Sequence, residues 1–315
     1  MGTPEVSLSV ICPSYNRAPF LEECIAPVMA VPDAEFILVD DGSTDGTLEL
    51  ARAIQERYGK DRIVVIPLGG NQGAQVARNR GMEQARGEMI LFCDSDDVLL
   101  ASGVKELAEN LTQNPGLAYA YGQVVMTDEH LKPSEGLGSI GSSFEDSPYE
   151  MAGYHWHTMG ALYRKSFLKK VGPWNLDLTG SQDWEYQARV KLAGGKGLFV
   201  DTLVGYWRQH EEGRVGARKF RPDYVRSVVT ACGVILSGAR AKGKCDRLLQ
   251  RRLAKKLIIH ALESGANNDQ ALRKLCLSEA VASVSNDLVF FFLTSTLKNA
   301  PSCLDYVIYK KLTRN

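Results

Sequence analysis

The sequence predicts an α/β protein, a mostly parallel sheet flanked by helices with a helical extension after it. Three observations predict this. Apolar, β-branched runs alternate with helical stretches through the first third of the chain, the pattern of a parallel sheet with helices on its faces. Polar and acidic loops directly follow those runs, where open α/β sheets bind ligands. From about Asp223 onward the pattern is helical almost to the end.

The elements follow in order. Val6–Asn16 (VSLSVICPSYN) reads as a strand ended by Pro13, and a helical stretch follows from about Ala18 to Met29. Glu35–Ser43 (EFILVDDGS) is a second buried strand, and Thr47–Gly59 an amphipathic helix closed by glycine. Asp61–Leu68 is a third strand, Gly73–Gly87 a helix, Glu88–Asp94 a fourth strand and Ala101–Asn114 a further helix. Leu117–Glu129 reads as a strand. Residues 133–153, rich in Gly, Ser and Pro, read as a loop over the site. Gly160–Gly172 looks helical and is stopped by Gly172-Pro173. Gln182–Gly195 is a helix, and Gly197–His210 a strand or strand pair. A boundary near residues 212–222 separates the α/β body from the helical tail.

The bulk numbers narrow the class. A chain of 315 residues suits one large domain or a domain plus an extension, and 44% hydrophobic content fills a real core. Lys+Arg and Asp+Glu balance at 37 each, which argues against a nucleic-acid binder. The seven cysteines form no C-x-x-C pair and are odd in number, so they read as reduced thiols of a cytosolic protein. The amino-terminal residues lack the basic and apolar regions of a signal peptide. The longest apolar run, Leu288–Leu297, is too short to span a bilayer.

The chemistry gathers at two acidic loops. In MILFCDSDDVLL, Asp94 and Asp96 follow an apolar strand at positions i and i+2, which point to one side of a strand. Oxygen ligands of this kind suit Mg²⁺ or Mn²⁺, which also bind substrate phosphates. The alternative is that these aspartates cap the next helix and solvate a loop. A second pair, Asp40-Asp41, ends a neighbouring strand. Asp40 is expected to be buried and held by backbone N–H groups, Asp41 to reach a ligand such as a base N–H, and Asp45 to cap the following helix. Gly69, Gly70 and Gly73 have the wrong spacing for G-x-G-x-x-G, and no P-loop motif occurs. A dinucleotide dehydrogenase and a P-loop ATPase are thereby excluded.

Four segments in this order, SVICPSYNRAPFLEECI, FILVDDGSTDGT, NQGAQVARNRGMEQARGEMILFCDSDD and GALYRKSFLKKVGPWNLDLTGSQDWEYQARV, resemble the family 2 glycosyltransferases. These are inverting nucleotide-sugar enzymes of the GT-A fold, a Rossmann-like sheet. The resemblance covers roughly residues 6–210. It implies a GT-A domain over 1–215, with a nucleotide-binding half (1–115) and an acceptor-binding half (116–215). Residues 216–315 form the helical extension.

The resemblance also implies roles. Pro13, Ser14 and Tyr15 line the nucleoside pocket, Asp41 contacts the base, and Arg78 approaches base or phosphates. Asp94 meets the ribose, with Ser95 beside it, and Asp96 binds Mn²⁺ or Mg²⁺ on the diphosphate. Asp97 fixes the loop. Asp183, in SQDWEY, is the catalytic base. Members often carry Glu-Asp there, whereas this chain has Gln182-Asp183, so a neighbour that tunes the base is missing. His210 is a metal-ligand candidate, with a structural role as the alternative. His157 with His155 reads as an acceptor-pocket wall, with a His-x-His metal site as the alternative, and Trp184, on the acceptor side, packs beside the base or offers a sugar-stacking face.

Glycosyl transfer needs a neutralised diphosphate and a deprotonated acceptor hydroxyl on opposite faces of the anomeric carbon. A carboxylate at a helix start, as Asp183 is expected to be, is favoured by the helix dipole. The implied activity moves a sugar from a nucleotide diphosphate, UDP favoured, to a saccharide or lipid-linked acceptor in surface polysaccharide or glycoconjugate synthesis. Rival readings are a sugar-nucleotide-forming nucleotidyltransferase, which wants a basic glycine-rich loop that CPSYNRAPF does not supply, and a non-catalytic nucleotide-sugar binding module. The basic helical tail suits peripheral contact with an anionic membrane, a homodimer face or packing within the chain. The expected location is cytoplasmic, with peripheral contact at the inner face of the membrane allowed.

Overall fold

The computed structural model describes residues 6–133, 139–140, 153, 156–209 and 221–284. They divide into two compact units. Residues 6–133, 139–140, 156–176 and 193–209 make the first, and 153, 177–192 and 221–284 the second.

The first unit is built on one sheet. Its strands are β1 (Leu8–Ser14), β2 (Ala34–Asp40), β3 (Ile63–Pro67), β4 (Met89–Phe92), β5 (Val98–Leu99), β6 (Leu117–Thr127), β7 (Ser139–Ile140), β8 (Ala161–Arg164) and β9 (Lys196–Arg208). The strand order is β3-β2-β1-β4-β8-β6-β9-β5, with β7 paired to β6. β1, β2, β3 and β4 run parallel, and β8 is antiparallel to both β4 and β6. Every residue of β1, β2 and β4 is buried. This is why they read as near-continuous apolar runs: helices cover both faces of a parallel sheet. Those helices are α1 (Leu21–Met29), α2 (Thr47–Tyr58), α3 (Ala74–Gln84), α4 (Ala101–Gln113) and α5 (Lys165–Val171). α4 buries Val104, Leu107 and Leu111, a stripe at helical spacing. At the amino end of the sheet the fully buried Glu35 accepts hydrogen bonds from Ser9 Oγ (2.6 Å) and from Arg86 N (2.6 Å) and Nε (2.7 Å). That network pins the turn into β4.

One expectation needs correction here, and one open alternative is decided. Gly160–Gly172 is not one helix. Its first half is β8, because Leu162 pairs with Leu91 on one side and Ala120 on the other. A four-residue run with three apolar residues has no period of its own, so tertiary pairing decides its state. The segment read as a strand or strand pair after Gly195 is the single long strand β9. Its register with β6 shifts at three places, with the extra residues on β9 at two of them (Phe199 to Leu203 and Leu203 to Gly205) and on β6 at one (Leu117 to Tyr119).

The second unit is helical, with α6 (Gln182–Leu192), α7 (Pro222–Ala241), α8 (Arg247–Ala266) and α9 (Gln270–Ser283). Asp246 and Asp269 cap α8 and α9 by accepting from Leu249 N (2.7 Å) and Leu272 N (2.9 Å). Its core includes Trp184, Ala188, Val228, Ile235, Leu253, Leu257 and Leu277. The expected boundary near residue 215 places α6 with the amino-terminal domain. The apolar side of α6 instead joins this helical core. No described helix is long and apolar enough to cross a membrane.

Candidate active site

In the order β3-β2-β1-β4-β8 the sheet reverses direction of growth between β1 and β4. Open α/β sheets bind ligands beyond the carboxyl ends of the strands at such a switch point. The loop after β1 carries Tyr15, Asn16 and Arg17, and the loop after β4 carries Asp94, Ser95, Asp96 and Asp97.

The β1 loop is set by its neighbours. Asn16 takes a left-handed conformation (φ 53°) and is tied to the β2 loop twice: its N–H donates to Ser43 Oγ (2.9 Å), and its Oδ1 accepts from Thr44 N (2.8 Å). Arg17 N donates to Thr47 Oγ1 (2.8 Å). Arg17 Nε then reaches across to Asp96 Oδ2 at 3.1 Å. Pro13 and Ser14 end the buried strand β1, while Tyr15 stands 41% exposed.

Asp40 is buried as expected and accepts from Ser43 N (3.1 Å). Among the described residues, its Oδ1 and the Ser14 Oγ are buried without a hydrogen-bond partner. The two residues pair across β1 and β2. Asp41 is buried, and both its oxygens accept backbone N–H groups, from Gln72 (2.6 Å) and Gly73 (2.8 Å). It therefore moulds the glycine-rich loop after β3. Gly42 (φ +80°) is required there, because a Cβ would lie 2.7 Å from Gly70 Cα. Asp45 accepts from Thr47 N (3.0 Å), Thr47 Oγ1 and Ala18 N (3.1 Å), and so ties the start of α2 to the start of α1. Slight burial pushes its carboxyl up, but the Thr47 and Ala18 hydrogen bonds outweigh this and lower it below the ordinary value.

The β4 loop is held by two arginines. Arg78, on α3, donates to Asp94 Oδ1 at 2.7 Å. Its guanidinium lies 4.6 Å over the Trp174 ring, which also meets Phe92 edge-on at 5.1 Å. Trp174 is placed by Asn79, which donates to the Trp174 carbonyl (2.9 Å) and accepts from its N–H (2.7 Å). Arg208, at the end of β9, donates from Nε to the Asp96 carbonyl (2.9 Å) and from its backbone N to Asp97 Oδ1 (3.0 Å). The same guanidinium reaches Glu129 O (2.6 Å) and pairs with Glu23. Asp97 is buried and fixes the loop. Burial, then the charges of Asp96 and Asp94, push its carboxyl well above the usual range, against the pull of the Arg208 N–H. Ser95 is also buried, whereas the Asp94 side chain is 38% exposed. Beneath the loop, the thiols of Cys24 and Cys93 lie 3.6 Å and 3.4 Å from the Asp94 carbonyl. The six described cysteines are free thiols.

Asp183 belongs to the second unit and sits in the first turn of α6. Its Oδ1 accepts from Trp184 N at 2.8 Å. The residue before the helix, Ser181, lies at φ +54°, turned with Oγ 3.1 Å from the Tyr224 hydroxyl. Burial first, and then the Asp183 charge, raise the Tyr224 phenol above its ordinary value.

The acceptor-side candidates are corrected. Trp184 is 4% exposed, lies in the helical core and has Lys256 Nζ 4.1 Å over its ring, so it offers no sugar-stacking face. His157 is buried, with its ring 4.8 Å from that of Trp207. For both, packing is what the structure shows. His210 lies outside the described residues. Among the described residues no group of three or more His, Cys, Asp or Glu forms a metal cage.

The model of the glycosyl transferase family 2 matches residues 9–172, more than half of the chain. The chain belongs to that family. A teichuronic acid biosynthesis glycosyltransferase, TuaG of Bacillus subtilis, is 46% identical over 94 residues, 29% of this chain and 36% of TuaG. The match thus spans about a third of that relative's length. Among solved structures, Staphylococcus aureus TarS 1–349 in complex with UDP-GlcNAc superposes with a TM-score of 0.70 at 20% identity, covering 88% of this chain and 81% of that one. The mannosyltransferase PcManGT of Pyrobaculum calidifontis, in complex with GDP-Man and Mn²⁺, superposes with a TM-score of 0.56 at 16% identity, covering 97% and 84%. The fold of this family 2 member is therefore GT-A. Its motifs do not single out Arg17, Asn79, Trp174 or Arg208, which hold the acidic loop. All four lie beside recognisable residues, but only the tertiary contacts give them roles.

Proposed function

We propose that the chain is a metal-dependent, inverting glycosyltransferase. It moves a sugar from a nucleotide diphosphate, a UDP-sugar by preference, to a hydroxyl of a saccharide or lipid-linked acceptor in surface polysaccharide or glycoconjugate synthesis. The observation that carries the reading is the pair of ion pairs, Arg78–Asp94 and Arg17–Asp96, at the switch-point ends of β1 and β4 in a chain of this family. The name of TuaG supports a surface polymer, and the UDP-GlcNAc bound to TarS supports a UDP-sugar.

The residues fit a divalent cation of the Mg²⁺ or Mn²⁺ kind. Asp96 already takes a cationic partner, Arg17, and Asp94 stands partly exposed on the same loop. Asp97 does not fit, because it is buried and faces the Arg208 N–H. One or two carboxylates are what such ions ask of a protein when phosphates and water complete the shell. The Mn²⁺ in the PcManGT complex supports the same reading. When bound, the metal supplies Lewis-acid neutralisation of the leaving diphosphate.

The chain's own residues do the rest. Pro13, Ser14, Tyr15 and the loop moulded by Asp41 receive the base, and Asp41 keeps two of its four lone-pair sites for a base N–H. Arg78, backed by Trp174, aims Asp94 at the ribose, with Ser95 beside it. Asp183 accepts the acceptor's proton. The Trp184 N–H orients one of its oxygens in the first turn of α6. A thermal-shift screen of nucleotide sugars with and without Mn²⁺ tests the reading, since a ligand that binds only the folded state stabilises it. The expected result is a Mn²⁺-dependent rise with one nucleotide sugar that Asp96→Ala abolishes. A rise that survives Asp96→Ala defeats the metal assignment, and no rise with any nucleotide sugar defeats the donor class.

A further inference from the structure

The Arg17–Asp96 contact asks why a chain would neutralise the very carboxylate it keeps for a cation. The two residues come from the loops that flank the switch point, after β1 and after β4. Their side chains are 17% and 18% exposed, so the pair is reachable from solvent. The backbone on both sides is fixed. Arg17 N is held by Thr47 Oγ1 (2.8 Å), and the Asp96 carbonyl by Arg208 Nε (2.9 Å). The next carboxylate, Asp97, is locked on the Arg208 N–H (3.0 Å). The main chain can therefore stay in place while the Asp96 carboxylate changes partner. Arg17 NH1 also donates to the Asn16 carbonyl (2.9 Å), which keeps the guanidinium near the loop when Asp96 is taken. A guanidinium is a permanent cation whose fork suits a diphosphate as well as a carboxylate.

We propose that Arg17 is a latch on the cation position of Asp96, displaced jointly by a divalent metal and the donor's diphosphate. The proposal rests on the metal reading of Asp96 given above. In the donor-free protein Arg17 supplies the positive charge that Asp96 needs and repels a free divalent ion. When a nucleoside diphosphate enters, its phosphates offer Arg17 a second anionic partner and offer the metal additional ligands. Metal and diphosphate then bind together, each strengthening the other by the same factor, as linkage requires. Arg17 acts here as a positioning residue.

The test measures Mn²⁺ binding to the full chain by electron paramagnetic resonance of the free ion, with and without UDP. It compares the unaltered protein with Arg17→Gln, Arg17→Lys and Asp96→Asn. Should Arg17→Gln fail to fold by its melting profile, Arg17→Met repeats the measurement with the apolar stem kept. The latch predicts that the neutral variant binds Mn²⁺ alone more tightly, on the order of fivefold, the size expected for losing a partly exposed ion pair. It also predicts that the UDP-induced gain in Mn²⁺ affinity shrinks in that variant, while Arg17→Lys stays close to the unaltered protein. The latch is overturned if removing the charge at position 17 leaves Mn²⁺-alone affinity unchanged or weaker while Asp96→Asn abolishes the UDP-dependent binding. In that case the metal reading of Asp96 stands. If the unaltered protein takes up no Mn²⁺ even with saturating UDP, the metal reading itself fails, and the latch with it.

Discussion

Replacing Arg208 by methionine is expected to loosen the Asp94–Asp97 loop while leaving every carboxylate in it unchanged. The Arg208 side chain is 4% exposed and serves several segments: the Asp96 carbonyl (2.9 Å), the Glu129 carbonyl (2.6 Å), the Glu23 carboxylate and the face of Phe20, 4.9 Å away. Two carbonyls left without a charged donor cost about 1.5 kcal/mol each. Loss of the cation over the ring adds about 0.5 kcal/mol. Glu23 is 57% exposed and adds little, well under about 1 kcal/mol. Methionine keeps the apolar stem, so no large cavity opens. The total is about 4 kcal/mol, which for a unit of this size lowers the melting temperature by on the order of 10 °C. Differential scanning calorimetry of the full chain reads this out. Arg208→Lys keeps one of the hydrogen bonds and should fall between. A shift below about 2 °C for the methionine variant would refute the idea that Arg208 holds the loop.

Two further outcomes are expected. Asp183→Asn retains an oxygen for the Trp184 N–H and so keeps the start of α6. Turnover should nonetheless fall at least about 10²-fold, the usual weight of a general base, with UDP affinity by calorimetry held within about twofold. Near-normal turnover would remove Asp183 from the role. For Asp45 the folded value lies below the unfolded one, so its hydrogen bonds stabilise the protein above the ordinary carboxylate pKa, and that contribution is lost as pH falls through the folded value. The protein should therefore exceed Asp45→Ala in stability by about 0.5–1 kcal/mol at neutral pH, the low end for a side-chain acceptor at an exposed helix start, and the gap should begin to shrink as pH falls below about 4. Urea titrations at pH 7 and pH 3.5 check this, and a gap independent of pH would show that the ionised carboxylate is not what matters.

Much of the amino-terminal fold is legible in the chain because its cause is local. β1, β2 and β4 are largely apolar runs, and each is followed by a polar loop and then, past the two-residue β5 in the case of β4, by a helix. That alternation by itself determined a parallel sheet, and with it the edge on which Asp41, Asp94 and Asp96 stand. β8 was not legible. Its four residues, three of them apolar, lead straight into α5 with no turn, and only pairing with β4 and β6 makes them a strand. Nor was Trp184 legible as core, since an aromatic on α6 reads equally as packing or as a sugar platform until Lys256 is seen over its ring. The residues that hold the site were hidden for a related reason. Arg17 meets Asp96 from 79 positions away, Asn79 meets Trp174 from 95, and Arg208 meets the Asp96 carbonyl from 112. A sequence pattern carries the preferences of neighbours a few residues apart. The partners of a guanidinium or an amide are chosen only when the sheet closes those long loops, and so the carboxylates could be read from the chain while the cations that hold them could not.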